Sequence, residues 1–136
     1  MPNLSRFEPH AYAILRIISG ILFLSHGTSK LFGYPPSGMP GKIAVGSMPW
    51  FSGVIELICG ALIAIGLFAS IAAFIACGEM AVAYFMAHAP HGFHPLTNKG
   101  ELAVIYCFLW LYVWARGSGV WSFDAAFRRN RTVPAV

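Results

Sequence analysis

The chain has 136 residues, of which 57% are hydrophobic and only 10% charged, where soluble globular domains carry about 25%. That length suits a single domain over residues 1–136 with a core of about 11–124, and the balance excludes a soluble fold, because so few charges cannot cover so apolar a bundle. The net charge of +4 comes without a basic run, which excludes nucleic acid as a partner and leaves the arginines to face anionic lipid headgroups.

Four apolar stretches, at about residues 11–29, 49–67, 70–88 and 100–115, predict four transmembrane helices. Helices are required because open strands leave backbone groups unpaired in hydrocarbon. The fold class expected is therefore an all-α membrane protein, a four transmembrane helix bundle. The first stretch ends in His26-Gly27 with no A-x-A-like cleavage site, so no removable signal peptide is expected. Spans two and three are separated by a few residues around Gly66 and must form a tight antiparallel hairpin. The links after spans one and three, LFGYPPSGMPGK and APHGFHPLTN, are longer and share one membrane side.

Arg6, Arg116, Arg128, Arg129 and Arg131 flank the ends of the chain, against Lys30, Lys42 and Lys99 on the other side. This excess predicts both termini in the cytoplasm. Trp50, Trp114 and Trp121 stand where interfacial aromatic belts are expected. Cys59, Cys77 and Cys107 are far apart in sequence, each inside a span, and read as small buried hydrophobes.

Topology then brings six polar residues to one leaflet. His26 and Lys30 close span one, Glu56 lies in the first half of span two, His88 closes span three, and Asn98 and Glu101 open span four. Taken singly, most have ordinary explanations in snorkelling, capping or the helix dipole. Glu56 does not: it lies roughly 10 Å below Pro49, where an ionised carboxylate needs a cation, a proton or a cavity. Gly53, Glu56 and Gly60 fall within an arc of about 60°, so the carboxylate shares the face on which another helix can approach closely. Lys30 or a protonated His26 is its natural partner. On span three, Cys77, Met80, Tyr84 and His88 form one stripe, with Glu79 roughly 180° away from His88. Glu79 is expected to pair with Arg16 on span one or to face a homo-oligomer partner.

The segments RIISGILFLSHGTSKLFG, GVIELICGALIAIGLFAS, CGEMAVAYFMAHAPHGFHPLTNKGELAVIYCF and RGSGVWSFD, over about residues 14–124, resemble the bacterial DoxX family of small four-span proteins. The family's recurrent polar positions fall on His26, Lys30, Glu56, His88, Asn98, Glu101 and Asp124. The resemblance implies a place in the bacterial cytoplasmic (inner) membrane and a link to redox stress or quinone handling. Relatives in the wider superfamily are cargo receptors or assembly chaperones.

Three functional classes fit these residues. The reading adopted is a membrane oxidoreductase component whose pocket takes a quinone or small hydrophobic ligand. In it Glu56, His26 and His88 are the candidate catalytic residues, and Lys30, Tyr84, Asn98 and Glu101 the candidate ligand-binding ones. Phe23, Tyr34, Tyr84 and Phe93 are candidate ring-packing residues. With no cysteine pair in sequence, a dithiol mechanism is disfavoured and electrons are expected from a cofactor or redox partner protein. The second class is a metal or haem site using His26, His88, His91 and His94, although no metal-binding spacing is present. The third is a scaffold that holds a partner's helix on the glycine faces of spans one and two.

Overall fold

A computed structural model describes residues 4–37 and 43–131. Lys42 and the side chain of Arg131, both counted above for orientation, lie outside the described residues. Among these residues the fold is all-helical. After a short turn at Leu4–Phe7 come α1 (Glu8–Phe32), α2 (Met48–Ile65), α3 (Ala69–Ala83), α4 (Glu101–Arg116) and α5 (Phe123–Arg131). The third helix continues through a π-helical turn at Tyr84–His88 and a 3₁₀ turn at Ala89–His91. The segments Leu4–Phe32, Met48–Ile65 and Ala69–His91 are each long and apolar enough to cross a membrane. The fourth helix, at 16 residues, is roughly 24 Å long and returns alongside α3.

Helix ends follow local chemistry. Pro9 sits in the first turn of α1, where its missing N–H costs nothing, and Gly33 closes the helix at φ 73°. At the end of α2 the Gly66 N–H donates to the Ile63 carbonyl and the Leu67 N–H to that of Leu62. This is a Schellman closure, and Gly66 at φ 71° supplies the left-handed residue it requires. The chain enters α3 two residues later, which makes the expected hairpin.

The outer surface of the spanning helices is apolar: Ile14, Ile18, Ile58, Phe74, Ile105 and Phe108 are all about half exposed or more. Such a surface is stable only against hydrocarbon. Inside, Phe23, Ile63, Trp110 and Val113 are fully buried. The Trp110 ring stacks on Tyr106 and meets Phe23 edge-on. α1 and α2 touch backbone to backbone. A Cβ on Gly27 would come within 2.5 Å of the Leu57 nitrogen, and one on Gly60 within 2.5 Å of the Leu24 nitrogen. The small-residue face carrying Glu56 is thus packed against α1.

Arg16 departs from expectation. It is fully buried and does not meet Glu79; its guanidinium donates to the carbonyls of Ile63 (2.5 Å), Ala64 (2.8 Å) and Trp121 (2.8 Å). The last carbonyls of α2 carry the negative end of its dipole and keep lone pairs that the closing turn does not fill, so the guanidinium caps them in place of pairing with a carboxylate. The short helix α5 is also unanticipated, since its polar sequence gives no span signal. Asp124 near its start accepts from the N–H groups of Phe68 (3.0 Å) and Ala69 (3.4 Å) and from the Ser118 hydroxyl, tying α5 to the start of α3.

Candidate functional site

Away from their connecting turn, α2 and α3 leave a cavity of about 640 Å³ between them, within the range typical of small-molecule sites. Phe51 and Ile55 of α2, Ile75 and Val82 of α3 and Met86 of the π turn form apolar walls, and Phe23 of α1 with Ala103 and Tyr106 of α4 closes the inner side. Gly78 opens onto the same space, since a Cβ there would meet nothing. The polar lining groups are His26, Lys30, Ser52, Glu56, Glu79, His88 and Lys99.

Four of these form one connected chain. The Lys30 ammonium lies 2.8 Å from Glu56 Oε1 and 2.7 Å from Ser52 Oγ. The Ser52 hydroxyl in turn donates to Glu79 Oε1 at 2.7 Å. Glu56 is 3% exposed, so a charge on it requires the Lys30 ammonium beside it. The other oxygens of the two acids, Glu56 Oε2 and Glu79 Oε2, are both buried without a hydrogen-bond partner. Two carboxyl groups therefore share one ammonium.

The histidines differ in setting. The His26 ring meets Tyr106 edge-on, with centroids 6.1 Å apart. His88 Nδ1 lies 3.1 Å from the Asn98 carbonyl; a carbonyl only accepts, so Nδ1 carries a proton and donates it there.

Of the candidates named from sequence, Glu56, Lys30, His26 and His88 line the cavity together. Tyr84, Asn98 and Glu101 do not. The Tyr84 hydroxyl donates to the Phe93 carbonyl, and the Asn98 amide donates to Tyr84 Oη (3.3 Å) and the Gly92 carbonyl (2.6 Å) while accepting from the Gly100 N–H (2.8 Å). These two residues brace the loop between α3 and α4. Glu101 is exposed in the first turn of α4, where a carboxylate suits the helix dipole. Tyr34 and Phe93, named as ring-packing candidates, are 76% and 79% exposed and off the cavity.

Sequence reasoning missed Ser52, Glu79 and Tyr106. Ser52 stands one turn before Glu56 on the same face, a signal that was available. Glu79 was hidden by the π turn: an unbroken α-helix puts it roughly 180° from His88, whereas the extra residue held in the Tyr84–His88 turn takes back about 100°. Pro90 supplies the local reason, having no N–H for the Met86 carbonyl and a ring that crowds it.

The packing of the cysteines includes one contact that their sequence separation hides. Cys77 of α3 and Cys107 of α4 stand with their sulfurs 3.7 Å apart, although 30 residues separate them. Neither lines the cavity. Among the described residues no three His, Cys, Asp or Glu side chains are grouped to hold a metal ion. His91 and His94 make loop hydrogen bonds instead. A second, larger groove of about 920 Å³ lies at the end of the bundle that carries α5. Its charged groups are engaged, Arg116 with Glu8 at 2.6 Å and Asp124 with the α3 start.

Comparison with known proteins bears on this arrangement. The DoxX family model matches residues 11–89, which hold α1 apart from its first three residues, α2, α3 and the π turn. The chain belongs to the DoxX family. A Haemophilus influenzae relative described as an uncharacterized protein is 43% identical over 93% of this chain and 98% of its own length. An uncharacterized membrane protein of Mycobacterium tuberculosis is 28% identical over 96% of this chain and 90% of its own. No solved structure matches this DoxX protein significantly. The matched region supplies the whole Lys30–Glu56–Ser52–Glu79 chain, while Lys99 and Tyr106 lie beyond it.

Proposed function

We propose that this DoxX-family chain is a redox-associated component of the bacterial cytoplasmic membrane whose α2–α3 cleft takes the ring of a quinone or a similar small lipid-soluble carbonyl compound. In this reading residues 1–136 act as one domain with both termini cytoplasmic, as the arginine excess favours, and the cleft opens in the outer leaflet. The observation that carries it is the Lys30–Glu56 ion pair on the polar side of a cavity whose other walls are apolar. The walls offer a ring a place to partition from lipid, and the polar side offers hydrogen-bond donors and proton-accepting groups. Lys30 spends two of its three hydrogens on Ser52 and Glu56, which leaves one for a carbonyl oxygen. Electrons come from a redox partner protein.

The scaffold reading finds less support. The glycine faces of α1 and α2 on which it relies are packed against each other through Gly20, Gly27 and Gly60. The test is a titration of decyl-ubiquinone into the purified protein in lipid nanodiscs, followed by the fluorescence of Tyr106 and Trp110. Saturable binding is expected, weakened about 10-fold or more in Lys30→Met, since a hydrogen bond from a charged group contributes about 1.5–3 kcal/mol. Gly78→Phe, which fills the cavity without touching the ion pair, should abolish it. Absence of saturable binding, or equal binding by Gly78→Phe, contradicts the proposal.

A further inference from the structure

The cavity holds an imbalance that the ion pair alone does not resolve. The charged and titratable groups around it are His26 and Lys30 from α1, Glu56 from α2, Glu79 and His88 from the third helix, Lys99 from the following loop and Tyr106 from α4. Lys99 is exposed on the loop and has water for its charge. Inside, Glu56 and Glu79 have Lys30 between them, and Lys30 reaches them unequally. It touches Glu56 directly at 2.8 Å but meets Glu79 only through Ser52.

Hydrogen counting settles the direction of that second link. An ammonium has donors and no acceptor, so Lys30 donates to Ser52 Oγ, and the single hydroxyl hydrogen of Ser52 is left to point at Glu79 Oε1. Glu79 thus receives one hydrogen bond from a neutral hydroxyl, and Oε2 receives none. An ionised carboxylate has about four acceptor sites, and leaving it buried with one neutral donor is far costlier than burying the neutral acid. The same accounting keeps Glu56 ionised, because its Oε1 is against the ammonium.

We infer that Glu79 is the proton-carrying residue of the cleft: it is the neutral acid of the pair while Glu56 stays ionised, and a rotation of its carboxyl out of the packed position presents its proton as the hydrogen-bond donor for a carbonyl-bearing ring. The ligand half of this inference rests on the proposed function; the protonation half does not. The arrangement assigns different tasks to the two acids. Glu56 fixes Lys30, and Glu79 exchanges a proton. When a bound quinone oxygen, reduced by electrons from the redox partner protein, takes the proton, the new O–H donates back to Glu79 Oε2, so the carboxylate that remains has two donors, this one and the Ser52 hydroxyl.

Infrared difference spectroscopy of the protein in nanodiscs tests this, with and without decyl-ubiquinone. The carbonyl stretch of a protonated carboxylic acid is expected at neutral pH, vanishing as pH is raised. It should be missing in Glu79→Gln, retained in Glu56→Gln, and retained in Ser52→Ala, which removes a hydrogen bond without removing the acid. Decyl-ubiquinone should shift the band to lower frequency in the wild type. A band missing in Glu56→Gln but present in Glu79→Gln overturns the assignment, as does its absence from the wild type. A band that follows the expected variant pattern yet ignores decyl-ubiquinone, in protein that binds it in the fluorescence titration, overturns the hand-over to the ligand and leaves Glu79 as the protonated acid, whereas failure of the titration itself overturns the quinone reading.

Discussion

Ser52 on α2 donates its hydroxyl hydrogen to Glu79 on α3 across 2.7 Å. This bond joins two helices whose connecting turn lies at the far end of the bundle, and it links both acids of the cleft to one lysine. The polar site is therefore a network contributed by three helices, and its parts should respond to mutation together.

That coupling is measurable at the ion pair. Lys30→Met leaves Glu56 buried without its cation and should cost about 3–5 kcal/mol. Glu56→Gln alone should cost less, and the double variant Lys30→Met/Glu56→Gln should recover much of the loss. Thermal unfolding of the four proteins in one detergent gives the cycle. Additive effects would mean the two side chains do not depend on each other.

Helix contact makes a sharper steric prediction. A methyl group on Gly27 or Gly60 would lie within 2.5 Å of backbone nitrogen on the facing helix, whereas one on Gly78 meets nothing. Gly27→Ala and Gly60→Ala should lower the melting temperature clearly, because backbone cannot yield as a side chain can. Gly78→Ala should leave it unchanged or raise it slightly, as expected when glycine is replaced inside a helix. Equal effects at the three positions would refute the close α1–α2 packing.

Cys77 and Cys107 offer a covalent check on the α3–α4 contact. Their sulfurs are 3.7 Å apart, and a disulfide needs about 2.05 Å, a difference that side-chain rotation can close. Copper-phenanthroline treatment in membranes should protect both thiols from later alkylation, and Cys77→Ala should restore alkylation of Cys107. Cys59 should stay unlinked in either case. Alkylation of Cys107 after oxidation of the wild type would show that the helices do not meet there.

The α5 attachment carries a pH signature. Burial pushes the Asp124 carboxyl up, but the Ser118 hydroxyl, the Phe68 and Ala69 N–H groups and Arg128 outweigh it and hold the group below its ordinary value. Because the folded value lies below the unfolded one, the stabilisation is complete above the ordinary carboxylate range and lost as pH falls through the folded value. Asp124→Asn should therefore melt below the wild type at neutral pH and converge on it in acid. A gap that stays constant with pH would assign Asp124 no charge-dependent role.

Particular residues show how far sequence reaches. Glu56 and Lys30 were legible because depth along a helix and i, i+4 spacing follow from α-helix geometry alone. The hairpin at Gly66 was legible from its glycine and shortness. Glu79 was not, because one π turn rotates everything beyond it and hydropathy carries no trace of that turn. Arg16 was matched to a carboxylate because backbone carbonyls at a helix end are invisible in sequence, and they are what the guanidinium caps. Tyr84 and Asn98 were expected at the ligand, yet their polar atoms are spent on the loop. Cys77 and Cys107 meet through helix packing, which sequence separation does not report.

The most direct measurement of the central claim is photolabelling with an azidoquinone in native membranes, followed by mass-spectrometric mapping. The account predicts adducts within residues 51–56 of α2 and 75–86 of the third helix, suppressed by excess decyl-ubiquinone and lost in Gly78→Phe. Adducts confined to the groove beside Arg116 and Arg128, or scattered over the lipid-facing surface and indifferent to competitor, would contradict it.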